Sequence, residues 1–208
     1  MDNRTEDQHG YLNRSRVSLD YIPRDNNHPY RPAIIFRMAE AYLSYAEALN
    51  ESSERMSHKQ EILDNLNKIR HRAGIAEYGT GTDENGFTRI KINFSDQKEV
   101  RRLIHKERRV EFVGEGVRYH DLRRWKTAHY GIGNLNEQGE NPDWGVNGPD
   151  YGMNYYGTEY TDQGDNAFFK RTKYMDRVYP RKFYWYPIHQ SEIDKDPTLV
   201  QGPFWLGE

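Results

Sequence analysis

SDQKEVRRLIHKERRVEFVGEGVRYHDLRRWK, residues 95–126, has the strongest hydrophobic periodicity and the densest charge of the chain. At about 100° per residue, its apolar positions predict two helices separated by Gly114 and Gly116. Ser95 or Asp96 is the predicted N-cap of the first helix, because Glu99 follows Asp96 at the spacing of a capping box. The two helices are expected to organise the rest of the chain.

Charged side chains lie inside the apolar stripes of both predicted helices. In the first helix, Glu107 and Glu111 share an arc with apolar residues, which are Val100, Leu103, Ile104 and Val110. In the second helix, Asp121 is flanked by Val117, Leu122, Trp125 and Ala128. A buried unpaired charge is strongly destabilising, so these carboxylates need cationic partners. We therefore predict a structural ion-pair network, whose members are Arg70, Glu107, Glu111, Arg118, Asp121 and Arg124.

Two more helices are predicted upstream, over residues 34–50 and 59–73. The predicted apolar arc of the first consists of Ile35, Met38, Tyr42, Tyr45, Ala46 and Leu49. In the second, Arg70 lies within the apolar stripe, and Gly74 is the expected C-terminal cap. The order helix, helix, loop, helix, helix predicts two antiparallel helical hairpins, at residues 34–74 and 95–127, with a linker between them.

The remaining segments have no sustained helical period. Residues 1–33 are polar and rich in proline, and we expect an extended segment with one short strand there. Residues 128–181 hold ten aromatic side chains and eight glycines, which predicts an irregular but ordered loop region. Residues 182–208 are expected to form a strand, at FYWYPI, and a tail in which Ser191 caps a brief helical turn.

The composition excludes several classes of function. The chain has 30 basic and 32 acidic residues, so no overall field attracts nucleic acid, and we expect no nucleic-acid partner. Cysteine is absent, which excludes disulfides and thiolate metal sites. The dipeptide His120-Asp121 is similar to a metal-phosphohydrolase motif but has no further ligands at metal spacing. We therefore expect no bound metal and no cofactor.

Glu107 and Glu111 are also a carboxylate pair of the kind that glycosidases use as general acid and base. One helical turn separates the two residues on an apolar stripe. A structural role in ion pairs is therefore favoured over catalysis.

The aromatic residues of the irregular region are the candidate ligand-binding residues. Flat rings with polar rims stack against sugar faces while neighbouring groups bind the hydroxyls. The candidates are Trp144, Tyr151, Tyr155, Tyr156 and Tyr160. A satellite core that pins the loop onto the helices is nevertheless the favoured interpretation of these rings. We also expect Trp144 and Phe168 or Phe169 to be substantially buried.

The pattern ERRVEF-x-x-EG-x-RYHDLRRW, residues 107–125, resembles the signature of the SusD/RagB family of outer-membrane nutrient-binding lipoproteins. Three other blocks resemble that family in its own order: RMAEAYLSYAEALN (37–50), LNKIRHRAG (66–74) and the closing residues 186–203. The blocks span residues 34–205, so the chain resembles the C-terminal part of such a protein. It departs from the family's Asn-Pro-Gly-like ending, because Gln201-Gly-Pro203 stands there.

The resemblance implies a mainly α-helical, tetratricopeptide-like fold with antiparallel hairpins, long aromatic-rich loops and a few short strands. It implies non-catalytic binding of an oligosaccharide or polysaccharide fragment, or less often another polymer fragment. Delivery to a SusC-like TonB-dependent transporter would follow, at the cell surface of the outer membrane, with a lipid anchor upstream of this chain. In family members with known glycan sites, loops upstream of these blocks make most contacts. The alternatives are a glycoside hydrolase using Glu107 and Glu111, and a helical-repeat scaffold for protein–protein interaction.

Overall fold

The structure is a computed structural model that describes residues 34–131, 145–154, 156–161, 163–164 and 166–205. The strand predicted within residues 1–33 lies outside the described residues. The chain divides into two compact units, residues 15–118 and residues 119–208 with 1–14. None of the helices in the described residues is long and apolar enough to cross a membrane.

The described residues are mainly helical, as predicted. The helices are α1 (Met38–Glu51), α2 (Lys59–Arg72), α3 (Gln97–Glu111), α4 (Val117–Arg124) and α5 (Gln190–Lys195). The strands are β1 (Gly148–Met153) and β2 (Arg171–Arg177), which pair antiparallel, and a 3₁₀ helix spans Arg181–Tyr184.

The core of the first unit lies between α1, α2 and α3, and α1 packs against both of the other helices. Its fully buried side chains are Leu43, Ala46, Ile62, Leu66, Val100 and Ile104. Hydrogen bonds and an ion pair join the C-terminal end of α1 to the N-terminal end of α3. Asn50 and Gln97 exchange two hydrogen bonds between side-chain amide and backbone carbonyl, and Arg101 donates to both oxygens of Glu51.

The buried face of α1 differs from the predicted arc. Ile35 is 96% exposed, and Met38 and Tyr45 are also exposed, so the prediction was wrong for these three residues. The helix also buries Leu43 and Glu47, which lie on the side opposite the predicted arc. Apolar residues occur on both sides of α1, and periodicity could not choose between them. Arg108 of α3 favours burial of this side, because its Nε lies 3.9 Å from Glu47 Oε2 and compensates the burial of that carboxylate.

Asp96 caps α3 as predicted, since its carboxylate accepts hydrogen bonds from the backbone N–H groups of Lys98 and Glu99 at 2.9 and 3.2 Å. Gly74 also takes its expected role after α2. Its φ is +66°, and the Ile75 N–H donates to the Arg70 carbonyl at 3.1 Å, as in a Schellman motif.

The end of α4 has the same geometry with lysine in the glycine position. Lys126 has φ +55°, and the Thr127 N–H donates to the Leu122 carbonyl at 3.0 Å. The helix therefore ends at Arg124, and the predicted extension of the helical stripe to Ala128 was wrong.

The second unit has a smaller core of Leu122, Ala128 and Tyr179, packed by Val146 and Tyr184. The strand predicted at residues 183–188 was wrong, because the chain turns into the 3₁₀ helix. The carbonyls of Phe183 and Tyr184 each accept a hydrogen bond from Arg123 at 2.6 Å, where a strand would bond its neighbour. The brief helix expected near Ser191 is α5, but His189 is its N-cap residue.

We expect Lys126→Gly to raise the free energy of unfolding by about 0.5–1 kcal/mol, because glycine adopts the left-handed conformation without the steric cost that a Cβ imposes. Urea denaturation measures the change. Gly74→Ala is the matched control: nothing lies within 4 Å of the added Cβ, so backbone conformation alone should make it destabilising. A Lys126→Gly variant less stable than the parent chain would contradict the expectation.

Candidate functional site

A buried ion pair connects α2 with α3. The Arg70 guanidinium donates from Nη1 to Glu107 Oε1 at 2.5 Å, and the two side chains are only 10% and 7% exposed. The structure thus brings together the two residues that the apolar stripes of these helices predicted as partners. Both charges are removed from water, so each depends on the other for its stability.

Tyr78 completes this site, and the sequence analysis missed it. Its hydroxyl donates to Glu107 Oε1 at 2.7 Å, and the Arg70 guanidinium lies 4.3 Å from the centre of its ring. Burial raises the pKa of Tyr78 well above its ordinary value, and the nearby charge of Glu107 adds to the increase. Tyr78 comes from the segment predicted as a plain linker, where a lone tyrosine between glycines gave no periodic signal.

Glu111 has two cationic partners that were not predicted, Arg72 and Arg37. Arg72 Nη2 lies 2.5 Å from one carboxylate oxygen, and Arg37 contacts the other. Arg37 also donates twice to Glu115, at 3.0 and 2.8 Å, and the hydrogen bond with Glu115 is the main cause that raises the pKa of Arg37. Neither arginine lies on an apolar stripe, so helical periodicity could not find them.

The other predicted members of the network lie on α4. Arg124 Nε donates to Asp121 Oδ1 at 3.0 Å, one helical turn away, and Asp121 is buried in the second unit. Arg118 is half-buried and belongs to the first unit. A link from these residues to Arg70 and Glu107 stays a prediction.

The surroundings of Glu107 and Glu111 are those of structural ion pairs and not of a general acid and base. A general acid or base must reach substrate, whereas Glu107 is enclosed and bound by Arg70 and Tyr78. Glu111 is held between two arginines. Across the described ranges, no three histidine, aspartate or glutamate side chains are grouped so that they could hold a metal ion.

Tyr156 and Tyr160 lie in the connection between β1 and β2, and they are 80% and 83% exposed. Phe168 and Phe169 support the ring of Tyr160, with centroids 5.8 and 6.4 Å away. Of the two phenylalanines of which one was expected to be buried, Phe168 is half-buried and Phe169 is exposed. The exposure of the two tyrosines disagrees with their being part of a satellite core.

Tyr151 is the third candidate ligand-binding residue that the structure describes, and it lies on β1 at a bulge in the sheet. The guanidinium of Arg171 on β2 lies 4.1 Å from the centre of its ring, so a cation covers one of its faces. The other two candidates, Trp144 and Tyr155, lie outside the described residues.

We expect Arg70→Met and Glu107→Gln each to lower the free energy of unfolding by about 3–5 kcal/mol, because each leaves a buried charge without its partner. The double variant should lose less than the sum of the two by more than about 1 kcal/mol. Chemical denaturation of the four proteins measures this coupling. The exposed pair Lys195–Glu192 is the control, and Glu192→Gln should cost under about 1 kcal/mol. Additive effects of Arg70→Met and Glu107→Gln would show that the two residues do not interact.

A second prediction concerns the pH dependence that Tyr78 adds. Tyr78→Phe removes a hydrogen bond to a buried carboxylate and should cost about 1.5–3 kcal/mol at neutral pH. Folding raises the pKa of Tyr78, so the protonated hydroxyl stabilises the folded chain. This contribution to the free energy of unfolding is fully present below the unfolded pKa of about 10 and is lost as the pH rises further. Urea denaturation of the parent chain and Tyr78→Phe should therefore show that the difference between their free energies of unfolding becomes smaller as the pH rises from about 8 to about 11. A constant difference across that range would contradict the assignment.

Comparison with known proteins supports the fold and identifies the family. The chain is 32% identical over 109 residues to SusD-like protein P25 of Formosa agariphila. The aligned region covers 52% of this chain and 18% of that protein. Among solved structures, BT4246 is 29% identical with a TM-score of 0.53, covering 84% of this chain and 24% of that one. A SusD-like protein from Bacteroides fragilis is 26% identical with a TM-score of 0.52, and the match covers 83% of this chain and 26% of that one.

The chain spans 18–19% of the length of the curated relatives that it matches. The mostly helical fold of its structural neighbours is tetratricopeptide-like, in agreement with the architecture predicted from the helical hairpins. The model of the SusD family matches residues 2–205, which is almost the entire sequence. This chain therefore belongs to the SusD family.

Proposed function

We propose that this chain is the C-terminal helical part of a cell-surface protein that binds a glycan without transforming it. Membership of the SusD family supports the nutrient-binding role. In this proposal, the bound oligosaccharide or polysaccharide fragment passes to a SusC-like TonB-dependent transporter in the outer membrane. A lipid anchor upstream of this chain holds the protein at the surface.

The exposed rings of Tyr156 and Tyr160 are the observation that carries the glycan-binding proposal. A tyrosine that stacks on a sugar must be accessible from solvent, and these side chains are 80% and 83% exposed. Their backbone is held in place. The Asn154 side chain donates to the Ala167 carbonyl, and the Thr158 and Glu159 N–H groups both donate to the Asn166 carbonyl. Rings on a fixed loop lose little conformational entropy on binding.

The alternative of a glycoside hydrolase is less well supported. Glu107 is bound by Arg70 and Tyr78 inside the first unit, away from solvent. An inverting or retaining mechanism requires two carboxyl groups on either side of a bound sugar. One buried carboxylate in an ion pair cannot supply the general acid or base that the reaction needs.

We expect Tyr156→Ala/Tyr160→Ala to bind a neutral polysaccharide about tenfold more weakly than the parent chain, because two stacking surfaces are removed. Affinity electrophoresis in gels containing starch, xylan, laminarin or galactan first identifies the polysaccharide that retards the chain. Isothermal titration with fragments of that polysaccharide then gives the dissociation constants.

Tyr45→Ala is the control, because Tyr45 is also an exposed tyrosine but lies on α1. Its affinity should equal that of the parent chain. Unchanged binding by the double variant would contradict a role for these two tyrosines. Reducing sugar released in the same mixtures by the parent chain but not by Glu107→Gln would favour the hydrolase instead.

A further inference from the structure

A groove of ≈ 1010 Å³ lies in the first unit between α2 and residues 77–94. It was not predicted, because the sequence of this segment indicated only a linker with a short extended piece. Its volume is at the upper end of the range typical of small-ligand sites. Three tyrosine or phenylalanine side chains contribute to the lining, Tyr42 of α1, Tyr78 and Phe94.

The wall of the groove formed by residues 77–94 is tied to α2. The Asn67 side chain donates to the Tyr78 carbonyl at 2.9 Å and accepts from the Tyr78 N–H at 2.8 Å. Arg70 adds a hydrogen bond to the carbonyl of Ala76 at 2.5 Å. These contacts fix the wall relative to the helix.

Asp83 organises the turn within the same wall. Its carboxylate accepts hydrogen bonds from the backbone N–H groups of Phe87, Asn85 and Glu77, at 2.8, 3.0 and 3.2 Å. Burial works to raise the pKa of Asp83, but these three donors hold it below its ordinary value. The turn is therefore built around an ionised carboxylate, and the groove is a preformed cavity.

The groove is more basic than the chain as a whole. Its lining includes five lysine and arginine side chains and three carboxylates, whereas the whole chain has a net charge of −2. Arg89 is bound to the lining carboxylate of Glu77 through two hydrogen bonds, and Arg72 is paired with Glu111, which does not line the groove. Three lysines then remain against two carboxylates. Within the described part of the chain, neither Lys59 nor Lys91 pairs with a carboxylate, and both are exposed. The groove therefore has unneutralised positive charge.

We propose that this groove binds an anionic saccharide, with Lys59 and Lys91 contacting its carboxylate or sulfate groups. Asp64 and Thr80 line the same groove and are suited to the sugar hydroxyls. The inference rests on the proposed glycan-binding function and adds a substrate class to it. It places a second saccharide site on the helical scaffold, apart from the exposed tyrosines of the β1–β2 connection.

Isothermal titration at low salt tests the proposal with four probes: tetragalacturonate, its neutral methyl ester, a sulfated carrageenan tetrasaccharide and inorganic sulfate. We expect at least one charged tetrasaccharide to bind about tenfold more tightly than the neutral ester. The tighter of the two identifies the preferred acid group. Inorganic sulfate that binds as tightly as the charged saccharides would overturn the proposal, because it would indicate an anion site only.

Lys59→Glu/Lys91→Glu should weaken binding of the charged tetrasaccharide by at least about tenfold. Lys106→Glu makes the same charge change at an exposed position of α3 outside the groove, and it should leave the affinity unchanged. Equal binding of the neutral ester, or binding that the double reversal does not weaken, would overturn the proposal.

The two saccharide sites can fail separately in these measurements. Tyr156→Ala/Tyr160→Ala should bind the charged tetrasaccharide as well as the parent chain does. If this variant also binds neutral polysaccharide normally, the tyrosine site is wrong while the groove stands. If the charged probes do not bind and neutral polysaccharide binding still depends on the tyrosines, the groove proposal is wrong.

Discussion

The buried ion pair between Arg70 and Glu107 is the interaction on which the first unit depends. Each helix that supplies one of these residues places a charge inside its apolar stripe, and such a charge is tolerated in a core only when it has a partner. α2 and α3 both pack mainly against α1, and the other ion pair between them, Arg72 with Glu111, lies at the surface on its Arg72 side. The ion pair therefore selects the arrangement of α2 and α3 around α1 in which the two charges meet.

The same arginine also fixes the chain between the two helices. Arg70 donates to the carbonyl of Ala76, and its guanidinium packs on the ring of Tyr78, whose hydroxyl returns to Glu107. One buried guanidinium thus connects α2, α3 and the intervening segment. Polar contacts to the core thus hold a segment that has few apolar residues. They keep the wall formed by residues 77–94 in place, and the groove lies between this wall and α2.

Structural charges and candidate recognition groups are separated in this chain. The carboxylates of Glu107 and Glu111 are occupied by arginines, while Tyr156, Tyr160 and the lysines of the groove are exposed. Binding requires groups that water can reach, and a stable scaffold requires charges that are already compensated.

The sequence by itself determined the helical segments, the Asp96 cap and the Gly74 cap, and it indicated that Arg70 and Glu107 belong to one ion-pair network. These features depend on a few neighbouring residues or on a charge within an apolar stripe. Only the tertiary structure decided the buried face of α1 and the arginines that bind Glu111. It also decided that a 3₁₀ helix, Arg181–Tyr184, stands where the predicted strand would begin. Each of these depends on groups that are distant along the chain, because desolvation is compensated by whichever partner folding brings within reach.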